Sequence, residues 1–135
     1  MRRLARSFGL CLAATAVMAC RYDFMHPGEA CGSCHSSAGE AAAFGVAGTA
    51  YDDRGVALDR SRLAITDARG RSVALETNAV GNFFTREPLT PPLRVILSKG
   101  DASASTAAAP SGDCNSCHAS RATAAGRITL STTRR

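Results

Sequence analysis

The sequence predicts an all-β fold, a small antiparallel sandwich with irregular segments before and after it. Two observations carry this. From Val46 to Ser98, short runs alternate apolar and polar residues, with turn-forming residues between them at regular spacing. The chain has no Trp and few aromatic residues, so its core is small and aliphatic. A third observation marks off the flanks. The pentapeptide Cys31-Gly32-Ser33-Cys34-His35 recurs as Cys114-Asn115-Ser116-Cys117-His118, one copy on each side of the alternating region.

The elements follow in order. Residues 1–19 read as an export signal rather than as part of the fold. Arg2, Arg3 and Arg6 form a basic start, and Phe8 to Ala19 is an apolar run too short to span a bilayer. Val17-Met18-Ala19-Cys20 resembles a bacterial lipobox. The resemblance implies cleavage before Cys20, lipidation of Cys20 and a lipid anchor in the membrane. Arg21 is not the Asp associated with inner-membrane retention, which favours the outer membrane or periplasm. Ordinary signal-peptidase cleavage nearby is the alternative.

Residues 20–45 form an irregular segment holding the first pentapeptide, with a turn at His26-Pro27-Gly28 and a small-residue tail from Ser36 to Ala43. The sandwich is expected over residues 46–100. Its strands are Val46 to Tyr51, Leu63 to Asp67, Ser72 to Thr77 and Leu93 to Ser98, with Phe83 to Arg86 as an extended piece. Leu63, Ile65, Val73 and Leu75 are placed inward. Asp52 to Gly55, Ala68 to Arg71 and Asn78 to Asn82 are turns. Residues 101–112 (DASASTAAAPSG) read as an Ala/Ser-rich linker or a poorly patterned strand. Residues 113–130 carry the second pentapeptide and end in a short return strand, and residues 131–135 are a basic tail.

Val46-Ala47-Gly48-Thr49-Ala50-Tyr51-Asp52, Leu63-Ala64-Ile65-Thr66-Asp67 and Thr77-Asn78-Ala79-Val80-Gly81-Asn82-Phe83 resemble the carboxypeptidase regulatory-like (transthyretin-like) domain. The resemblance covers about residues 46–100. It implies an Ig-like β-sandwich with no catalysis of its own.

Each C-x-x-C-H is a c-type haem attachment signature. Two thiols three positions apart add across the two vinyl groups of a porphyrin. The following imidazole sits under the iron as proximal ligand. Two covalently bound haem c groups are therefore expected, held by Cys31, Cys34, Cys114 and Cys117, with His35 and His118 as iron ligands. His26 is the one His outside the motifs and the leading candidate for a distal ligand, though a surface-turn His is the plainer reading. The spacing His-Pro-Gly-x-x-Cys-x-x-Cys-His resembles that of multihaem cytochromes, where the leading His often ligates iron. Met25 is a weaker distal candidate through its thioether. The second iron would then take Met25 or Lys99, remain five-coordinate, or receive a ligand from a neighbouring copy, so self-assembly belongs to the expectation.

Zinc and dithiol readings compete. Four thiolates could bind zinc, but the two pairs lie much further apart than the roughly 15–20 residues of a zinc ribbon, and the repeated His would have no role. A thioredoxin-like C-x-x-C should open a helix after a strand, and Met25 to Ala30 is no strand.

Charge excludes one class of partner. The net charge of +5 includes three Arg lost with the signal. That leaves thirteen basic and eleven acidic residues, a net of +2. No basic patch interleaved with aromatics supports nucleic-acid binding. No Arg/His pair is spaced for peroxide cleavage. The expectation is an exported, lipid-anchored electron carrier with redox partner proteins, rather than a catalyst. A structural or adhesion sandwich with zinc or disulfides at the C-x-x-C pairs, and a haem-based sensor or weak peroxidase, are the alternatives.

Overall fold

The computed structural model describes residues 25–39, 41–118 and 126–132. The expected signal, Cys20 and part of the tail lie outside the described residues. Seven strands form two sheets: β1 Val46–Asp52, β2 Arg62–Thr66, β3 Ser72–Glu76, β4 Asn82–Thr85, β5 Leu93–Lys99, β6 Ala102–Ala109 and β7 Ile128–Leu130. One sheet has the order β4-β1-β7 and the other β3-β2-β5-β6. This is an all-β sandwich. Among the described residues, helical structure is limited to a 3-10 turn at Cys31–Ser33 and one α-helix, α1, at Cys114–His118.

Alternation produces the core where only one face of a strand is covered. Leu63 and Ile65 of β2 and Leu93, Val95 and Leu97 of β5 point inward, with polar neighbours outward. They meet Val46, Ala50, Phe83 and Leu130 of the opposite sheet. Val73 and Leu75 pair across from Ile65 and Leu63 but are only half buried, since β3 is an edge strand. Truncating Leu63, which is 2% exposed, to Ala would cost about 2–5 kcal/mol.

Three tight turns join the strands with one repeated chemistry. Asp52, Asp67 and Asn78 each accept, through Oδ1, the backbone N–H of the residues two and four positions on. Three positions on stands Gly55, Gly70 or Gly81, each with φ near +80°. Only glycine adopts that conformation without strain. At Gly81 space also forbids a side chain, because a Cβ would lie 2.4 Å from the Ala50 carbonyl.

Three parts differ from the sequence reading. Residues 102–109, read as a linker or a poorly patterned strand and placed outside the sandwich, form β6, paired with β5 apart from a register shift between Leu93 and Val95. Ala and Ser carry little strand signal, but this edge needs only backbone partners, and the sandwich therefore extends beyond residue 100. The sheets are antiparallel except at β7, which returns parallel to β1. β1 is buried along its whole length rather than alternating. One face lies in the core, and the flanking segments cover the other.

Candidate functional site

Both pentapeptides form a single helical turn against β1. In the first, His35 N–H donates to the Cys31 carbonyl at 2.9 Å, an i to i+4 bond. In the second, Asp113 caps α1 by accepting the Ser116 N–H at 3.2 Å. A turn of this kind brings residues three and four apart onto one face, so both Cys and the His of each motif share a side. The middle Ser repeats its role, donating to the carbonyl three residues back at 2.7 Å in both copies.

The two imidazoles are held alike. His35 Nδ1 is 2.9 Å from the Ala42 carbonyl, and His118 Nδ1 is 2.8 Å from the Gly126 carbonyl. A carbonyl only accepts, so Nδ1 carries the proton and Nε2 keeps its lone pair. This is the arrangement by which a metal-ligating His is oriented and its tautomer fixed. His35 is further clamped by Phe44, whose ring stacks at 4.0 Å and 17°, and Phe44 stacks on Phe84 at 4.8 Å.

A cleft opens beside each motif. The first, about 320 Å³, is lined by Cys31, Cys34, His35, Met25, His26 and Phe84, among others. The second, about 410 Å³, is lined by Cys114, Cys117 and His118 and runs to Leu63, Val95 and Leu97 on the inner face of β2 and β5. It enters the sandwich between β6 and β7. Both fall in the lower range of ligand pockets, which are roughly 300–1,000 Å³. Phe83 lines both clefts and stands between them. Opposite it, Gly48 must lack a side chain, since a Cβ would come within 2.6 Å of Phe83 Cζ and 3.0 Å of Cys114 Cβ.

The motifs touch. Asp113 accepts the backbone N–H of Cys31 at 3.2 Å and of Gly32 at 2.9 Å, so one carboxylate caps both turns. Asn115, fully buried, accepts the Thr49 N–H at 3.0 Å. Its amide donates to the Glu29 carbonyl at 2.9 Å and to Thr49 Oγ1 at 3.0 Å. Thr49 Oγ1 also accepts from Gly28 N–H and donates to Asn82 Oδ1. Along this edge of β1, Ala47 bridges Asp113, Asn115 takes Thr49 N–H, and β7 pairs from Ala50 onward. The strand is split, and the second motif lies in the gap.

Burial, with Asp113 nearby, pushes the Cys31 thiol up to about 11. Burial pushes Cys114 up to about 12, with further contributions from Cys31 and Asp113. Such neutral, half-buried sulfurs are the opposite of a reactive dithiol, which needs an electropositive setting. Neither C-x-x-C pair is closed by a disulfide. Among the described residues, no three His, Cys, Asp or Glu side chains gather to hold a metal ion. A haem site needs no such cluster, because the porphyrin fills the equatorial positions and the protein supplies axial donors. Two thiols on one face, an imidazole with Nε2 available and an adjacent, largely apolar cleft are compatible with a covalent haem at each motif.

No family model, curated protein or solved structure matches the chain. The geometry alone carries the functional reading.

Every described candidate from the sequence except Lys99 falls on a cleft. Met25 and His26 line the first and not the second. His26 is largely exposed at the rim, with Nδ1 3.6 Å from the Glu29 carboxylate. Lys99 lines neither cleft and donates to the Asp59 carbonyl. Sequence reasoning missed Phe44, Gly48, Asp113 and Asn115. Asp113 had a legible signal, an acidic residue directly before a helical turn. Asn115 had none.

Proposed function

We propose that this protein is a dihaem c-type cytochrome that transfers electrons at the bacterial cell envelope, lipid-anchored through Cys20. One observation carries the reading. Two C-x-x-C-H turns, placed by different parts of the chain, hold their imidazoles the same way, each beside its own apolar cleft. A structural sandwich would not need both imidazoles fixed through Nδ1.

Cys31, Cys34 and His35 would hold one haem, and Cys114, Cys117 and His118 the other. Each haem, when bound, supplies a one-electron couple, with iron cycling between +2 and +3. The chain fixes the rest. Ala42 and Gly126 carbonyls set the imidazole tautomers. Phe44 and Phe84 fix the orientation of the His35 ring. Phe83 and Gly48 set the partition between the clefts. Asp113 and Asn115 tie the two motifs to each other, so the spacing of the two centres would be set by part-buried hydrogen bonds rather than by a linker. Apolar walls exclude water and favour the less charged, reduced state. Redox partner proteins are the expected partners.

The test is expression with a c-type maturation system, followed by intact mass and a pyridine haemochrome spectrum. Two covalent haems per chain are expected, falling to one in Cys31→Ala/Cys34→Ala and in Cys114→Ala/Cys117→Ala. A colourless product at apo mass, where a control cytochrome matures, would end the reading.

A further inference from the structure

The two clefts differ in what they offer an iron. In the first, the imidazole of His26 and the thioether of Met25 stand with His35. In the second, among the described residues, His118 is the only imidazole and no thioether is present. Leu63, Phe83, Val95, Leu97 and Ile128 have no atom to give a metal, and the neutral hydroxyls of Ser105, Thr106, Ser111 and Thr129 are far weaker donors to a haem iron than an imidazole or thioether. Arg127 also lines it, but a guanidinium has no lone pair to offer. The carboxylate of Asp113 is occupied by the N–H groups of Cys31, Gly32 and Ser116. The sequence closes the remaining routes. Beyond Cys20, the chain holds no His besides His26, His35 and His118, no Met besides Met25 and no Lys besides Lys99. Lys99 lies outside both clefts, its Nζ on the Asp59 carbonyl.

We infer that the two sites are chemically unequal: His26 closes the iron at the first motif, while the iron held by His118 keeps an open position that binds a small neutral diatomic ligand. The inference rests on the dihaem reading above. The stretch of wall at Leu63, Val95 and Leu97 suits such a ligand, because these side chains offer no hydrogen bond to replace the hydration of a polar one. A neutral diatomic such as carbon monoxide or nitric oxide loses little. One subunit would then carry an electron-transfer centre and a ligand-binding centre in contact.

The experiment is a carbon monoxide titration of the reduced holoprotein, read by difference absorption, on material whose haem content has been counted by intact mass. The expected result is one carbon monoxide per two haems. Cys31→Ala/Cys34→Ala, with only the second haem, keeps that one equivalent, and Cys114→Ala/Cys117→Ala keeps none. His26→Ala, a change at an exposed side chain, raises uptake to two. Two haems with no uptake would overturn the inference, by showing that another group or another copy closes the second iron. Two haems with two equivalents in the unaltered protein would also overturn it, by showing that His26 closes neither. Both results leave the dihaem reading standing, whereas absence of haem removes both.

Discussion

Replacing Asn115 by Ala isolates the junction between the motifs. The side chain is fully buried and makes three hydrogen bonds to backbone and hydroxyl groups, with a long fourth to Cys31 Sγ. Its loss strands the Thr49 N–H inside the fold, where an unpaired donor costs about 1–3 kcal/mol. The Glu29 carbonyl is only partly buried and recovers part of its loss from water, adding about 1 kcal/mol. Thr49 Oγ1 keeps Gly28 N–H and Asn82, so it adds little. The expected cost is about 2–4 kcal/mol, a large share of the roughly 5–15 kcal/mol that holds a domain together. Urea unfolding of the holoprotein, followed by far-ultraviolet circular dichroism, reads it as a lower midpoint at unchanged slope. Ser116→Ala is the neighbouring control, since its exposed hydroxyl makes only local bonds, to the Asp113 carbonyl and, weakly, to Cys117 Sγ, and should cost under about 1 kcal/mol. If Asn115→Ala unfolds with the unaltered protein, or if Ser116→Ala costs as much, the side chain is a spacer and the reasoning fails.

Gly48→Ala places a methyl 2.6 Å from Phe83 Cζ and should cost about 1–3 kcal/mol, with a spectral change at both haems, since Gly48 lines the first cleft and Phe83 lines both. Absorption spectra of the single-haem variants would read the two changes separately. Phe44→Ala removes the ring stacked on His35 and should cost about 0.5–1.5 kcal/mol while shifting only one of two midpoint potentials in a redox titration. Backbone N–H donors, led by Val56 for Asp52 and by Thr90 for Asp67, hold both carboxyls below the usual carboxylate range. The unfolded chain returns them to about 3.9, so their contribution is full above that value and is lost as pH falls through the folded pKa. Unfolding midpoints measured down to about pH 2 should therefore fall less steeply in Asp52→Asn/Asp67→Asn than in the unaltered protein.

Much of the sandwich was legible because one-sided strands write their burial into the sequence. Leu63 and Ile65, and Leu93, Val95 and Leu97, alternate with exposed neighbours and are found inward. The turns were legible because Asp52, Asp67 and Asn78 each precede a glycine by three residues, a spacing with one structural meaning. β6 was not, because an edge of Ala and Ser has neither an apolar face nor strong propensity, and only its pairing with β5 reveals it. β1 was half legible, its small residues being what lets both faces be covered. At the candidate site, the reactive side chains could be read from spacing alone. The residues that hold them in place could not. Asn115 sits between two cysteines as an apparent filler, and its partners Glu29 and Thr49 are 86 and 66 residues away.

Those separations bear on timing. A bond across 86 residues closes one of the longest loops the chain can form, and such contacts are made late, after local hairpins. The β2–β3 and β5–β6 hairpins lie between the motifs and can form while both motifs are still loose chain. Until β7 returns and Asn115 enters the gap beside Thr49, the sulfurs of Cys31 and Cys114 are as open to solvent as those of Cys34 and Cys117. The broken strand thus acts as a clasp that fastens last. Any chemistry on the four thiols has the interval before it fastens in which to act, and after closure Cys31 and Cys114 are partly covered while Cys34 and Cys117 stay exposed.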